Sequence, residues 1–251
     1  DTLVVIGSKP PVSFFAYPDK PGWLSPKDAT VIRMGDHSVD AINTLERIAN
    51  ALGASDRVSN VAQRVELELE HGPITAVELG KVIANRLPEN AIVSDEGATN
   101  GLGAFLMTEN AAPHDWLTLT GGAIGQGLPL ALGAAVACPD RKVLALEADG
   151  SAMYTVQALW TMVRENLDIT VLILNNGSYA ILNIELARVG VAQPGPTALS
   201  LLDLTNPSIQ WTDIATGMGM AAERVDTVEA LDAALASAMS EYGPRLVEVM
   251  L

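Results

Sequence analysis

Basic side chains are scarce. Lys and Arg number 15 against 30 Asp and Glu, a formal net charge of −15. Nucleic-acid binding needs clustered cations to neutralise phosphates, so that class of function is excluded. The same imbalance means that any anionic ligand must be held by local devices: a metal ion, helix N-termini or backbone N–H groups. Cysteine is nearly absent. Cys138 stands alone, which rules out an internal disulfide and fits a reducing, cytoplasmic setting. Long apolar runs are missing too. The longest, residues 128–138, is broken by Pro129 and Gly133, falls short of the roughly 20 residues that span a bilayer, and reads as a buried helix. The three histidines, His37, His71 and His114, lie in loops or linker and share no metal-ligand spacing. No signal peptide, P-loop, Ser-His-Asp arrangement or internal repeat is visible. The first residue is Asp and a strand-like run, Thr2-Leu-Val-Val-Ile6, follows at once. That start suggests that further sequence precedes it.

What is present is a globular composition, 49% hydrophobic and 18% charged. Residues 1–54 read as strand, Pro-rich loop, strand and helix. The helix spans 38–52, with Val39, Ile42, Leu45, Ile48 and Leu52 at helical spacing and Gly53 as its stop. This is part of an α/β layer, too small to bury a core alone. Residues 55–72 are polar and acidic and read as a linker. From Pro73 onward the pattern alternates. Thr75-x-x-Glu78 predicts a capping box and a helix to Leu87. Strands are predicted at 91–94, 116–120, 142–146, 170–174 and 246–250. Helices are predicted at 124–138 and 152–165, and a later one capped by Asp226-x-x-Glu229. Strands at 142–146 and 170–174 are rich in Val, Leu and Ile, as when both faces are covered. Residues 73–251 therefore predict a parallel α/β sheet with helices on both faces.

Two segments carry chemistry, Glu147-Ala-Asp149-Gly-Ser151 and Asn175-Asn-Gly-Ser178. Each follows a buried strand, so both lie at carboxyl ends, where ligands bind in open α/β sheets. Asp149 offers a hard anionic oxygen, Asn176 an amide oxygen and a following loop carbonyl a third, a set that suits magnesium. Gly150 and Ser151 open a helix whose free N–H groups suit a phosphate. Singly, Asp-Gly is often only a turn and cap, and Asn-Asn-Gly only a loop. Their order and spacing carry the weight.

With Asp149-Gly150-Ser151 followed by Asn175-Asn176, the sequence resembles the thiamine diphosphate motif of the family that includes acetolactate synthases, benzoylformate decarboxylases and pyruvate decarboxylases. Ala148 stands where that motif has a first glycine. The resemblance implies that Asp149, Asn176 and the Ser178 carbonyl bind Mg²⁺, and that the metal with Gly150, Ser151 and Tyr179 holds the diphosphate end. Thr120-Gly-Gly-Ala-Ile-Gly125-Gln-Gly-Leu-Pro129 resembles the family's glycine-rich stretch. Its spacing is not the dinucleotide fingerprint Gly-x-Gly-x-x-Gly. By the same resemblance Gly122 meets the aminopyrimidine, and Ile124 is the apolar wedge that bends the cofactor. Ala98, Thr99 and Asn100 fall where relatives touch the diphosphate. Leu182 and Glu185 fall at pocket-lining positions, although Glu185 reads equally as a solvated helix residue. Authentic acetolactate synthases carry a Met- and Trp-containing stretch where this chain has Ile181-Leu-Asn-Ile-Glu185. Residues 1–54 resemble the end of the family's central domain. The implied activity is that of an acetolactate synthase-like 2-oxo acid decarboxylase or carboligase, with a benzoylformate-type decarboxylase or a non-catalytic assembly subunit as alternatives. The implied assembly is a homodimer or homotetramer, with the activating glutamate on a pyrimidine-binding domain not found in these residues.

Overall fold

The computed structural model describes residues 1–35, 38–54, 56 and 61–251. His37 and most of residues 55–60 lie outside that description. The chain divides into two compact units, Asp1–Val61 with Glu185–Gln193, and Ala62–Ile184 with Pro194–Leu251.

In the smaller unit β1 (Thr2–Val5) pairs in parallel with β2 (Thr30–Arg33), and α1 (Ala41–Ala51) follows. The helix starts three residues later than the apolar spacing predicts. Asp40 caps it by accepting the Asn43 N–H at 3.0 Å, which leaves Val39 outside the helix.

The larger unit runs α2 (Ala76–Arg86), β3 (Ile92–Glu96), α3 (Ala98–Met107), β4 (Asp115–Thr118), α4 (Gly127–Ala137), β5 (Val143–Ala148), α5 (Asp149–Ala152), α6 (Ala158–Arg164), β6 (Ile169–Asn175), α7 (Ala180–Arg188), α8 (Pro196–Ser200), α9 (Trp211–Gly217), β7 (Ala221–Val225), α10 (Val228–Ser240) and β8 (Arg245–Met250). The last residues of α7 fall in the smaller unit. Six strands form one parallel sheet in the order β4-β3-β5-β6-β8-β7. Both faces are covered, as the sequence predicts. One face packs Leu79, Val82 and Ile83 of α2 and Leu231 and Leu235 of α10 against Leu144, Leu146 and Leu172. The other packs Leu128 and Ala131 of α4, Leu159 and Met162 of α6 and Trp211 of α9 against Val143, Ala145 and Val171. Every residue of β6 is buried, so both faces lie against the core, which explains the apolar run from Val171 to Leu174.

Several local expectations need correction. Thr75 caps α2 by accepting the Glu78 N–H at 3.2 Å. The Glu78 carboxylate accepts instead from the Glu70 N–H at 2.9 Å and pairs with Lys81 at 2.6 Å. Only half of the capping box forms. The cap of α10 is Thr227, not Asp226; its hydroxyl accepts the Ala230 N–H at 3.3 Å. The helix expected over 152–165 is broken into α5, a 3-10 turn at Met153–Thr155 and α6. Residues 62–72 have no regular structure, yet Leu67 exchanges two hydrogen bonds of 2.8 Å with the Asn85 side chain.

Candidate cofactor site

After β3 the chain moves outward to β4, then returns to place β5 on the opposite side of β3. The crevice at the carboxyl ends of β3 and β5 is therefore a topological switch point, the usual ligand site of such sheets. A cavity of about 610 Å³ lined by His114, Arg141, Lys142 and Asp168 borders the opposite, amino ends. It is roomier, but it lies away from the strand ends that carry both motifs.

Asp149 begins α5 directly after β5. It is 1% exposed, and among the described residues it has no ion-pair partner. Its Oδ1 accepts the Gly150 N–H at 3.0 Å and its Oδ2 the Gly177 N–H at 2.9 Å. Burial pushes its carboxyl above the usual range against the pull of these backbone N–H groups, and the nearby Glu248 adds to the rise. A carboxylate so placed has lone pairs to spare and no compensating charge, which suits a hard cation. The second motif lies beside it. Asn176 turns back to accept the Ser178 N–H through Oδ1 at 3.0 Å. Asn175 Oδ1 shares the Gly177 N–H, and Asn175 Nδ2 donates to the buried Glu248 at 2.7 Å. Arg224 closes this network on Glu248 at 2.9 Å.

One small pocket gathers Ala98, Thr99, Asp149, Gly150, Ser151, Asn176, Ser178 and Tyr179. It measures about 20 Å³, room for roughly one water molecule. The Tyr179 ring lies against Gly150, where a Cβ would collide with ring atom Cε1. A side chain at Gly150 would thus close the floor of the site. Ala98 holds φ of 48°, a left-handed conformation that costs a non-glycine residue roughly 1–2 kcal/mol. A second pocket of about 300 Å³ shares Asp149 and Asn176 and adds Thr205, Gln210 and Arg224.

Asn100, Gly122, Ile124 and Leu182 do not line the small pocket. Asn100 lies within α3, where its N–H bonds the Gly97 carbonyl at 3.2 Å. Leu182 is 46% exposed on α7. Gly122 and Ile124 belong to the glycine-rich turn before α4. Gly121, Gly122 and Gly125 there have φ of 65°, 67° and 93°, conformations that exclude most side chains. The turn is tied to the segment after Asp149, because Thr155 Oγ1 donates to the Gly125 carbonyl at 3.0 Å. Glu185 lies in the smaller unit, where its carboxylate accepts from Tyr17 Oη at 3.1 Å and pairs with Arg188 at 2.6 Å.

Sequence reading gave no role to two buried glutamates here. Glu96 and Glu147 are register partners on β3 and β5, 1% and 0% exposed. The signal was available: an acidic residue inside each of two buried strands. Glu96 accepts the N–H groups of Gly125 and Gly127. Both Glu147 oxygens lack a hydrogen-bond partner among the described residues. Burial first, then the neighbouring Glu96 and Asp95, pushes its carboxyl well above its ordinary 4.5. The folded protein thus keeps a proton that the unfolded chain releases above about pH 4.5, and stability falls as pH rises from there toward the folded value. Replacing Glu147 with Gln is expected to flatten part of that decline. Urea midpoints at about pH 5.5 and 7.5 read the effect; an unchanged slope in the variant would exclude Glu147 as its source. Burial raises the carboxyls of Asp95 and Asp149 as well, and both act in the same direction.

Among the described residues the site joins a buried carboxylate without a counter-ion, an amide oxygen beside it and a glycine-floored pocket at a switch point of an α/β sheet, a donor set of the kind that suits a metal-linked phosphorylated ligand. Comparison with known proteins makes the class specific. Residues 95–249 match the family model for the thiamine pyrophosphate enzymes, C-terminal TPP binding domain. The chain belongs to that family. It is 48% identical over 250 residues to a Mycobacterium tuberculosis protein named "Putative acetolactate synthase large subunit IlvX", covering 99% of this chain and 48% of that one. It is 32% identical over 228 residues to a benzoylformate decarboxylase of Pseudomonas aeruginosa, covering 89% and 42%. The solved structure of a Rhodococcus jostii thiamine diphosphate-dependent 4-hydroxybenzoylformate decarboxylase superposes over the whole chain with a TM-score of 0.77 at 26% identity, covering 48% of that structure. The chain spans about half the length of these relatives. Among the described residues no helix is long and apolar enough to cross a membrane.

Proposed function

We propose that this chain supplies the diphosphate- and Mg²⁺-binding half of a cytoplasmic, acetolactate synthase-like enzyme that decarboxylates or ligates small 2-oxo acids. The observation that carries the reading is Asp149, buried without a counter-cation in the same small pocket as Asn176, Ser178, Gly150 and Ser151. Asp149, the Asn176 side chain and the Ser178 carbonyl would hold the metal. Gly150 and Ser151 would meet the diphosphate through backbone N–H groups, with Ala98, Thr99 and Asn100 on its other side. The Tyr179 ring must turn away from Gly150 to admit it. Gly122 and Ile124 would face the rings of the cofactor. Bound thiamine diphosphate supplies an electron sink for breaking or forming the bond next to the substrate's carbonyl. The chain's own residues orient it and shield it from water.

Residues 1–54 we assign to the end of a central domain and 55–72 to a linker. The group that activates the pyrimidine would come from a further domain, in a homodimer or homotetramer, so the 251-residue chain alone should show no turnover. The 48% identity to the acetolactate synthase-type relative favours a carboligase. The fold match to a 4-hydroxybenzoylformate decarboxylase favours an aryl 2-oxo acid decarboxylase as second reading. The exposed Ile181 and Leu182 would accommodate an apolar substituent in either case. The test is calorimetric titration of the chain with thiamine diphosphate, with and without Mg²⁺, followed by a panel of 2-oxo acids with the complete enzyme. Interdependent binding is expected, because the metal links an acidic protein to an acidic ligand. Uptake indifferent to Mg²⁺ would refute the metal assignment.

Ile124, 40% exposed at the glycine-rich turn, gives a sharper expectation. Ile124→Ala should leave cofactor affinity nearly intact while lowering turnover of the complete enzyme roughly 10- to 100-fold through loss of cofactor geometry. Unchanged turnover at saturating cofactor would remove the wedge role.

A further inference from the structure

We propose that Glu96 is a positioning residue of the cofactor cleft: its carboxylate grips the turn that presents Ile124 and fixes where the cofactor's rings lie. The proposal rests on the cofactor reading above and extends it to a residue outside the thiamine diphosphate motif.

The polar backbone atoms of two glycines in this turn are held by side chains. Gly125 donates its N–H to Glu96 Oε1, and its carbonyl accepts from Thr155 Oγ1 at 3.0 Å. Gly127 donates its N–H to Glu96 Oε2, and its carbonyl accepts from Ser94 Oγ at 2.9 Å. Ser94 and Glu96 are two apart on β3, so they project from one face of the strand. Both are buried. One carboxylate therefore bridges the N–H groups on either side of Gln126, directly after Ile124. Each of the two N–H groups thus has its own carboxyl oxygen as acceptor. The N–H of Gly127 belongs to the first turn of α4, where no carbonyl within the helix can accept it. Gln126 also ties the turn to Thr118 and Thr120, at 3.3 and 3.1 Å, but Glu96 holds the N–H groups of the two glycines that follow Ile124. Gly121, Gly122 and Gly125 all adopt left-handed backbone, and glycine backbone is the most mobile when free. Ile124 sits within this glycine-rich segment with its side chain 40% exposed, and so lacks the packing that would fix it.

Glu147 sharpens the case. It lies opposite Glu96 in the β3–β5 register, and a Cβ on Gly127 would strike its Oε1. The first residue of α4 is thus held from one side by Glu96 and walled on another by Glu147. A Gln at position 96 would keep similar volume but offer one acceptor oxygen where two N–H groups need one each. Its amide N–H₂ would face a backbone N–H, a donor against a donor.

The test uses the 251-residue chain, wild type and Glu96→Gln, with two readouts. The first is amide hydrogen exchange at Gly125 and Gly127. The proposal expects protection there to fall about tenfold or more in the variant, with the amides of Leu146 and Leu172 unchanged; a fall shared by all amides would mark global destabilisation and count against it. The second is affinity for thiamine diphosphate beside affinity for inorganic diphosphate, both with Mg²⁺. Glu96 holds the turn whose Gly122 backbone would meet the aminopyrimidine, a contact that Ile124→Ala leaves in place, so the Glu96 variant should bind thiamine diphosphate several-fold more weakly and inorganic diphosphate as before. Equal loss of both ligands, or no loss of either, would overturn the role. Should Glu96→Gln fail to fold, hydrogen-bond scalar couplings from the Gly125 and Gly127 nitrogens to the Glu96 carboxyl carbon in the wild type decide the matter, their absence refuting the grip. A wild-type chain that takes up neither ligand overturns the cofactor reading and this proposal together. That result is distinct from failure of Glu96 alone, in which the wild type binds and the variant binds equally.

Discussion

Replacing Asp149 with Ala is expected to weaken retention of thiamine diphosphate and Mg²⁺ at least about a hundredfold while leaving the fold nearly as stable as before. The two halves of this expectation have different origins. Asp149 is a buried carboxylate that no described side chain neutralises, and burial with Glu248 nearby already opposes its charge. Removing it relieves that cost. It also strips the Gly150 N–H of its side-chain acceptor, at a cost of roughly 1–3 kcal/mol if left without water, while the Gly177 N–H keeps Asn175 Oδ1. These terms oppose each other, so the melting temperature should move little. Binding has no such offset. Removing the one charged ligand from a buried ion site costs roughly 3–5 kcal/mol, about two to three and a half powers of ten in affinity. Titration at saturating Mg²⁺, paired with a thermal melt, separates the two. Full affinity in the variant would refute Asp149 as a metal ligand; a collapsed melting temperature would mean that its role is structural.

The sheet was legible because its signals were local and redundant. Val143 to Leu146 and Val171 to Leu174 are unbroken apolar runs, and each is followed by a turn sequence, so both strand type and strand end follow from sequence. The two motifs were legible for the same reason: topology puts them at one sheet edge once β5 and β6 are neighbours. Helices α3, α8 and α9 and strand β7 were not anticipated. α3 begins Ala98-Thr-Asn-Gly with no side-chain cap, so it lacks a start signal. β7 shows burial only at Val225, because it is an edge strand, and its Glu-Arg pair reads as loop. Asp226 was chosen over Thr227 as a cap on spacing alone, and the two differ by one residue, a choice that only backbone geometry settles. The roles of Glu96 and Glu147 were invisible for a deeper reason. Each is a polar residue in an apolar strand, but the N–H groups that Glu96 holds lie 29 to 31 residues downstream, Glu147 holds none among the described residues, and no local pattern encodes either arrangement.

Gly127→Ala should be the most damaging single methyl addition in this region, costing about 3 kcal/mol and lowering the melting temperature by roughly 6–12 °C. A Cβ there would collide with Glu147 Oε1 and come within 2.8 Å of Glu96 Cβ. Neither neighbour can step aside cheaply. Glu96 is committed to the Gly125 and Gly127 N–H groups. Glu147 is fully buried on β5, a strand flanked on both sides. The same helix supplies the control. Gly133 in α4 has nothing within 4 Å of an added Cβ, so Gly133→Ala should stabilise the protein by about 0.5–1 kcal/mol through helix propensity alone. Opposite signs from one substitution type in one helix would separate steric cost from propensity. A double variant then identifies the obstacle. Glu147→Ala removes the carboxylate that the new methyl would strike, so Gly127→Ala should cost clearly less in that background than in the wild type, a favourable coupling of residues in contact. Strict additivity would move the collision from Glu147 to the β3 side, onto Glu96.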